Sequence, residues 1–245
     1  MAFVFNTEVL AHDIDIHCEA TPSSIIKYLQ ETVDRNLKEC HPTYEELLEQ
    51  NLSFVVSRTA LKMYFPLTEY SKLAVETWAT EGKSAAFMRI YRILCDGKVA
   101  AECLMTWALL DTKNRRLLKG TDFDVSNYGT GELINLDMPS RFRVPADALE
   151  TLCREKQVYY SDIDRNLHMN NVKYFDFLFD CIPDCQNKRM TSCMINYVSE
   201  ASFGKTIEIY SIPPEFLDNG EEVYCFKTKV DGQTNVEARF TVVNR

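Results

Sequence analysis

No run of apolar residues approaches the ~18 that a membrane-spanning helix needs, so no stable membrane insertion is expected. Nine cysteines are present, an odd number, and none stands in a Cys-x-x-Cys pair. A disulfide framework or zinc site is not expected on that spacing; buried free thiols in a reducing compartment are. Neither a Gly-rich phosphate loop nor metal-ligand spacing occurs, so no cofactor and no metal are expected. Positive charge is in deficit: 27 Lys and Arg against 36 Asp and Glu, a net −9. That balance argues against nucleic acid as the main partner and against a polybasic membrane surface. The stretch MAFVFNTEVL has no basic start and no long apolar run, so it is not expected to be a signal peptide. A cytoplasmic location is the expectation.

What is present is ordinary in bulk and unusual in one place. The chain has 245 residues, 46% apolar and 26% charged, enough for one large domain or two small ones. From Asp162 to Asn171 it gathers two Asp, three Asn and a His, and an apolar helical pattern follows at once. Asp164, Asn166 and His168 alternate, which would point all three to one side of an extended segment. Asn170 or Asn171 then stands where a helix N-cap belongs, beside free backbone amides at the helix start. Carboxylate, amide, imidazole and free amides together suit the polarisation and attack of a carbonyl.

The sequence also repeats itself. His12-Asp13-Ile14-Asp15 leads through Thr21-Pro22-Ser23-Ser24 into an apolar pattern at Ile25, Ile26, Leu29, Val33 and Leu37. Ser161-Asp162-Ile163-Asp164 leads through Asn170-Asn171 into Val172, Phe175, Leu178, Phe179 and Ile182. Both sets fit a 3.6-residue period. Near the end of each half an Asp-Gly pair, Asp96-Gly97 and Asp231-Gly232, separates two β-rich runs, a strong hairpin signal. The fold class expected is therefore α+β: one long helix wrapped by a curved sheet of four or five antiparallel strands, present twice. The expected bounds are 1–119 for the first half, 120–150 for a Gly- and Pro-bearing linker, and 151–245 for the second half.

YSDIDRNLHMNNVKY resembles the signature of the acyl-acyl carrier protein thioesterases of plants and bacteria, whose helix-wrapped sheets are tandem hotdog folds. YLQETVDRN, FVVSRTALKM, VETWATEGKSAAFMRIYRI and TWALLDTKNRRLLK have the same look, so the likeness spans nearly the whole chain. It implies hydrolysis of an acyl thioester on acyl carrier protein, releasing free fatty acid. It also implies one active site per chain, in the second half, with the first half supplying acyl-pocket walls. The family's Asp-x-Asn-x-His site falls on Asp164, Asn166 and His168. Its Tyr-x-x-Glu-Cys run, expected on a strand, falls on Tyr197 to Ala201, which keeps Glu200 and lacks the Cys. That departure speaks against a cysteine nucleophile and leaves attack by water intact.

On this reading Glu200, desolvated beside an acyl tunnel, is the general base, and Asn166 and His168 engage the carbonyl or the water. Asp164 orients them, and the amides near Asn170 and Asn171 complete an oxyanion hole. The roles of Glu200 and His168 are interchangeable on sequence alone. An acidic carrier needs cations, and Lys113, Arg115, Arg116 and Lys119 form the densest basic run, with Arg141 and Arg143 as a second option. Rival readings are an acyl-CoA thioesterase, a dehydratase of the same fold and a non-catalytic acyl-binding protein. A homodimer is left open, because two hotdogs in one chain already satisfy the pairing that single ones find by dimerising.

Overall fold

Asp96 and Gly97 take positive φ of 50° and 75°, and Asp231 and Gly232 take 50° and 77°. Both central residues of each turn are thus left-handed, the backbone that matches strand twist in a two-residue hairpin. The first turn joins Phe87–Cys95 to Lys98–Asp111, and the second joins Glu222–Val230 to Gln233–Asn244. The computed structural model describes residues 1–80, 86–114, 116–119, 123–139 and 141–245. They group into two units: Met1–Ala20 with Ile25–Asp137, and Thr21–Ser24 with Met138–Arg245.

The first unit contains β1 (Phe3–Glu8), α1 (Pro22–Glu39) from Ile25 onward, α2 (Tyr44–Glu49), β2 (Leu52–Met63), β3 (Lys72–Thr80), β4 (Phe87–Cys95), β5 (Lys98–Asp111) and the short β6 (Arg116–Leu117). Its strands run antiparallel in the order β1-β3-β4-β5-β2, with β6 paired to β5. Thr21 Oγ1 accepts the Ser24 amide at 3.2 Å, and Pro22 fills the first helical position, where no backbone donor is lost. Ile25, Ile26, Leu29, Val33 and Leu37 are all buried, each worth about 1.5–3 kcal/mol. The helix meets the sheet through Arg35, whose guanidinium lies 4.3 Å over the Phe5 ring, and through Arg89 of β4, which donates to Asn36. Burial pushes the Arg89 pKa down; Thr77 Oγ1 at 2.9 Å and the Tyr128 carbonyl at 3.3 Å accept its other donors.

The second unit contains β7 (Thr151–Gln157), α3 (Lys173–Phe179), β8 (Lys188–Tyr197), β9 (Thr206–Ser211), β10 (Glu215–Phe216), β11 (Glu222–Val230) and β12 (Gln233–Asn244). The antiparallel order is β8-β12-β11-β9-β7, with β10 on β11. Here α3 lies on the sheet: Phe175 and Phe179 stand edge-on to Phe240 at 6.4 and 6.1 Å, and Tyr174 to Tyr197 at 5.8 Å. The second helix is shorter than its apolar period suggests. Seven residues long, it stops at Phe179, before the buried Ile182. Pro183 disfavours helical backbone at the residue before it, and Asp184 turns the chain with φ 55°.

Two expectations need correction. Only Cys95, Cys103 and Cys193 are buried thiols; Cys18 and Cys153 are exposed and the other four half-buried. Glu200 is not on a strand: β8 ends at Tyr197, and Glu200 follows in irregular chain. Among the described residues no helix is long and apolar enough to cross a membrane.

Candidate active site

The polar cluster of the second unit is built on a doubly tied loop. Asp162 is its anchor. Its carboxylate accepts from Lys156 Nζ and from the Tyr159 amide at 3.0 Å, and its carbonyl accepts the Asn170 amide at 2.9 Å. Burial alone would raise the Asp162 pKa; Lys156 and the Tyr159 N–H outweigh it and hold the carboxyl below the usual range. Between the ties, Asp164 Oδ1 accepts the Asn166 amide at 2.8 Å, and the Asp164 carbonyl accepts the Leu167 amide at 3.0 Å. Leu167 is left-handed, φ 64°, and the Asp164 amide then donates to the His168 carbonyl at 2.9 Å. So Asp164 to His168 form a tight turn, and the extended, alternating segment expected from sequence is replaced. An Asp side chain that bonds the backbone two residues on offers the chain that turn directly.

His168 leaves the turn paired with Ser202, and the Met169 amide donates to the Ala201 carbonyl at 2.8 Å. This pairing brings the imidazole to the carboxylate: His168 Nε2 lies 3.2 Å from Glu200 Oε2. The Glu200 side chain is 63% exposed and that of His168 36%, so Glu200 is not desolvated as expected. Asn166 is exposed in the same turn, and Asp164 is half-buried. Ala201, buried, occupies the position after Glu200 and offers no nucleophile.

Asn170 serves the helix. Its side chain accepts the Val172 amide at 2.9 Å and its carbonyl the Lys173 amide at 2.9 Å. These two amides of the helix start are therefore engaged by Asn170. Asn171 gives its carbonyl to Tyr197 Oη at 3.4 Å. Of the basic run, Lys113, Arg116 and Lys119 are exposed, and Arg116 Nε sits 3.4 Å from Asp111 Oδ2. Arg115 lies outside the described residues. Among those described, no group of three or more His, Cys, Asp or Glu could hold a metal ion.

One residue at this site escapes sequence reasoning. Asn235 is fully buried. Its amide nitrogen donates to the Ser199 carbonyl, and its carbonyl accepts both the Val198 and Ser199 amides, at 2.8 and 3.1 Å. Its side-chain oxygen accepts Tyr174 Oη at 2.9 Å and Thr228 Oγ1 at 3.0 Å. Asn235 thus fixes the backbone immediately before Glu200 to the helix α3 and to the sheet. A polar residue inside a β-rich run carries no local signal of such a role.

A helix laid on five antiparallel strands, twice in one chain, with Asp, Asn, His and Glu in the second copy, is a double hotdog of the thioesterase type. Residues 2–127 match the acyl-ACP thioesterase N-terminal domain, and residues 147–242 match the acyl-ACP thioesterase C-terminal domain. The chain belongs to the acyl-ACP thioesterase family. It is 21% identical over 196 residues to a chloroplastic palmitoyl-acyl carrier protein thioesterase of Gossypium hirsutum, covering 75% of this chain and 48% of the relative. It is 22% identical over 174 residues to a chloroplastic dodecanoyl-[acyl-carrier-protein] hydrolase of Cinnamomum camphora, covering 66% and 45%. The chain thus spans about half the length of the curated relatives it matches. Among solved structures, the fold is shared with an acyl-ACP thioesterase from Bacteroides thetaiotaomicron (TM-score 0.84, 21% identity, 98% of this chain and 97% of that one). It is shared too with a 12:0-ACP thioesterase from Umbellularia californica (TM-score 0.88, 16% identity, 100% and 94%).

Proposed function

We propose that this chain hydrolyses the thioester of an acyl group carried on acyl carrier protein, releasing a free fatty acid and ending chain elongation. The observation that carries the reading is the 3.2 Å contact of His168 with Glu200, next to the Asp164–Asn166 turn, in a member of this family. Glu200 takes a proton from water, and the water oxygen attacks the thioester carbonyl carbon. The side-chain N–H of Asn166 and the His168 imidazole stabilise the charge that develops on the carbonyl oxygen. Collapse of the tetrahedral intermediate breaks the C–S bond, and the proton held on Glu200 passes to the leaving thiolate. Ala201 supports water rather than a cysteine as the nucleophile. Free cysteines support a reducing, cytoplasmic setting.

The test is free-thiol release from a panel of acyl carrier protein substrates and the matching acyl-CoAs, with His168→Ala as control. Faster hydrolysis of the carrier substrates, lost in the variant, is the expected result. Preference for CoA would move the chain to the acyl-CoA thioesterases, and no hydrolysis of either would favour a binding protein.

A further inference from the structure

The turn that carries His168 has a counterpart in the first unit. There Asp15 Oδ1 accepts the His17 amide at 2.8 Å, and the Asp15 carbonyl accepts the Cys18 amide at 3.0 Å. Cys18 is left-handed, φ 59°, and the Asp15 amide donates to the Glu19 carbonyl at 2.8 Å. Glu19 pairs with Thr68 as His168 pairs with Ser202, and the Ala20 amide donates to the Leu67 carbonyl at 2.8 Å as that of Met169 does to Ala201. The two turns thus correspond residue for residue, with Glu19 in the place of His168 and Pro66 in the place of Glu200. The first copy has the backbone without the reacting pair, so it is an internal reference for what accompanies that pair in the second.

Apolar surface and a cation accompany it. Leu167 precedes His168 and is 69% exposed, and Phe203 follows Ser202 and is 61% exposed. His168 and Ser202 are partners in an antiparallel bridge, so Leu167 and Phe203 fall opposite one another. Tyr160, at the start of the same loop, is 82% exposed. The first copy has Cys18, Glu69 and Ala11 at these three places, and Ile16 where the second has the exposed Arg165. Its own exposed apolar residues, Ile16 and Tyr70, stand at other positions of the turn. Beside His168 and Glu200, then, three large apolar side chains are held in water, a carboxylate is missing and a guanidinium is present. Apolar patches of this kind mark a surface that something covers.

We propose that Tyr160, Leu167 and Phe203, with Arg165, form the seat on which acyl carrier protein docks beside the His168–Glu200 pair. The proposal rests on the thioesterase reading above and adds to it a physical reason for carrier over CoA. The thioester has to reach His168 and Glu200, so the surface next to them is covered by whatever holds the thioester. Coenzyme A brings a nucleotide and phosphates, which gain nothing by covering leucine and phenylalanine. A folded carrier brings apolar side chains of its own and, being acidic, a partner for Arg165. A bilayer also covers apolar side chains, but the chain's net charge of −9 opposes an anionic one.

Fluorescently labelled holo-acyl carrier protein is titrated with the full chain, and hydrolysis of acyl carrier protein and of an acyl-pantetheine, which has no carrier, is followed in parallel. Leu167→Ser/Phe203→Ser is expected to weaken carrier binding about tenfold or more. Arg165→Glu is expected to slow association about tenfold at low salt and less at high salt. Ile16→Ser/Tyr70→Ser, in the first copy of the turn, is expected to keep the affinity within about twofold. All five side chains are exposed, so the variants fold. Unchanged carrier binding by Leu167→Ser/Phe203→Ser would overturn the proposal, as would an equal loss in Ile16→Ser/Tyr70→Ser. So would binding to phosphatidylglycerol–phosphatidylethanolamine vesicles that Leu167→Ser/Phe203→Ser abolishes while carrier binding persists. Hydrolysis separates this from the thioesterase reading. Turnover of acyl-pantetheine with carrier binding unaffected by the variants removes the seat and keeps the hydrolase. Carrier binding that depends on Leu167 and Phe203, with no turnover of either thioester, keeps the seat and removes the hydrolase.

Discussion

Asn235 holds Ser199 by two hydrogen bonds and Val198 by a third, and Ser199 is the residue before Glu200. The Glu200 carboxylate itself is exposed, so its position depends on its backbone. Asn235→Ala removes the side-chain anchor, leaves the Tyr174 hydroxyl without its acceptor and leaves Thr228 Oγ1 only the Val236 carbonyl at 3.5 Å. We expect a loss of about 1–3 kcal/mol in stability and a fall in kcat of about tenfold to hundredfold with little change in KM. Tyr174→Phe is the control, since it removes one donor and spares the bond to Ser199. Its melting temperature should fall slightly, with kcat kept within about threefold. Equal kcat losses in both variants would mean that Asn235 acts only through stability.

Glu200→Gln keeps the shape and removes the base. Turnover should fall about 10²- to 10⁴-fold. The side chain is exposed, so stability should change by no more than about 0.5 kcal/mol. Near-normal turnover in Glu200→Gln would give the base role to His168.

The buried pair of the second unit makes a pH prediction. Lys188 Nζ is 2.7 Å from both Glu222 oxygens, and Tyr224 Oη donates to the same carboxylate at 2.6 Å. The Lys188 bond and then the Tyr224 bond hold the Glu222 pKa below the usual value. A lowered folded pKa gives stability that is complete above the unfolded value, about 4.3, and is lost as pH falls through the folded one. Melting temperature should therefore drop more steeply below about pH 4 in the unaltered chain than in Lys188→Met/Glu222→Leu. At pH 7 Glu222→Gln alone should cost about 3–5 kcal/mol, and the double variant close to nothing.

Recognition of an acidic carrier is tested by charge reversal. Arg116 shares Asp111 with Asn114, and Asn114 and then Arg116 hold that carboxyl below its ordinary pKa. Lys113→Glu/Arg116→Glu/Lys119→Glu should raise KM for acyl carrier protein substrates at least tenfold and leave acyl-CoA hydrolysis unchanged. Equal effects on the two substrate classes would remove the patch from carrier docking.

Gly131 lies against the buried Trp78, and a Cβ there would sit 2.6 Å from the indole nitrogen. The ring is also held by its bond to the Glu132 carbonyl at 2.9 Å. Gly131→Ala should lower stability by about 1–3 kcal/mol, read by denaturant melts at unchanged slope.

The parts of the fold that sequence reveals are the ones with local causes. Asp96-Gly97 and Asp231-Gly232 are legible because few other pairs tolerate two successive positive φ values. Likewise, α1 is legible because five buried positions share one helical face. The turn from Asp164 to His168 departs from the expected extended segment for a reason of the same kind. Alternation in Asp164, Asn166 and His168 suggests a strand, and the turn is set by an Asp side chain and by a left-handed leucine, a residue that signals no turn. Glu200 is found only through resemblance, since an acid after a strand has no pattern of its own. Asn235 is invisible for a deeper reason: its partners come from a helix, a neighbouring strand and the chain before Glu200, which only the folded sheet assembles.

The hairpin of β11 and β12 is imperfect beside Asn235: Lys229 faces Thr234 and Thr228 faces Val236, so Asn235 is the surplus residue of its strand. The surplus residue turns its carbonyl to the Val198 and Ser199 amides and its side chain to Ser199, Tyr174 and Thr228. A redesign that trimmed one residue to make the ladder regular would improve the strand and unmoor the carboxylate. On the proposed reading of Glu200, a consensus or idealised version of the hairpin would trade turnover for tidiness.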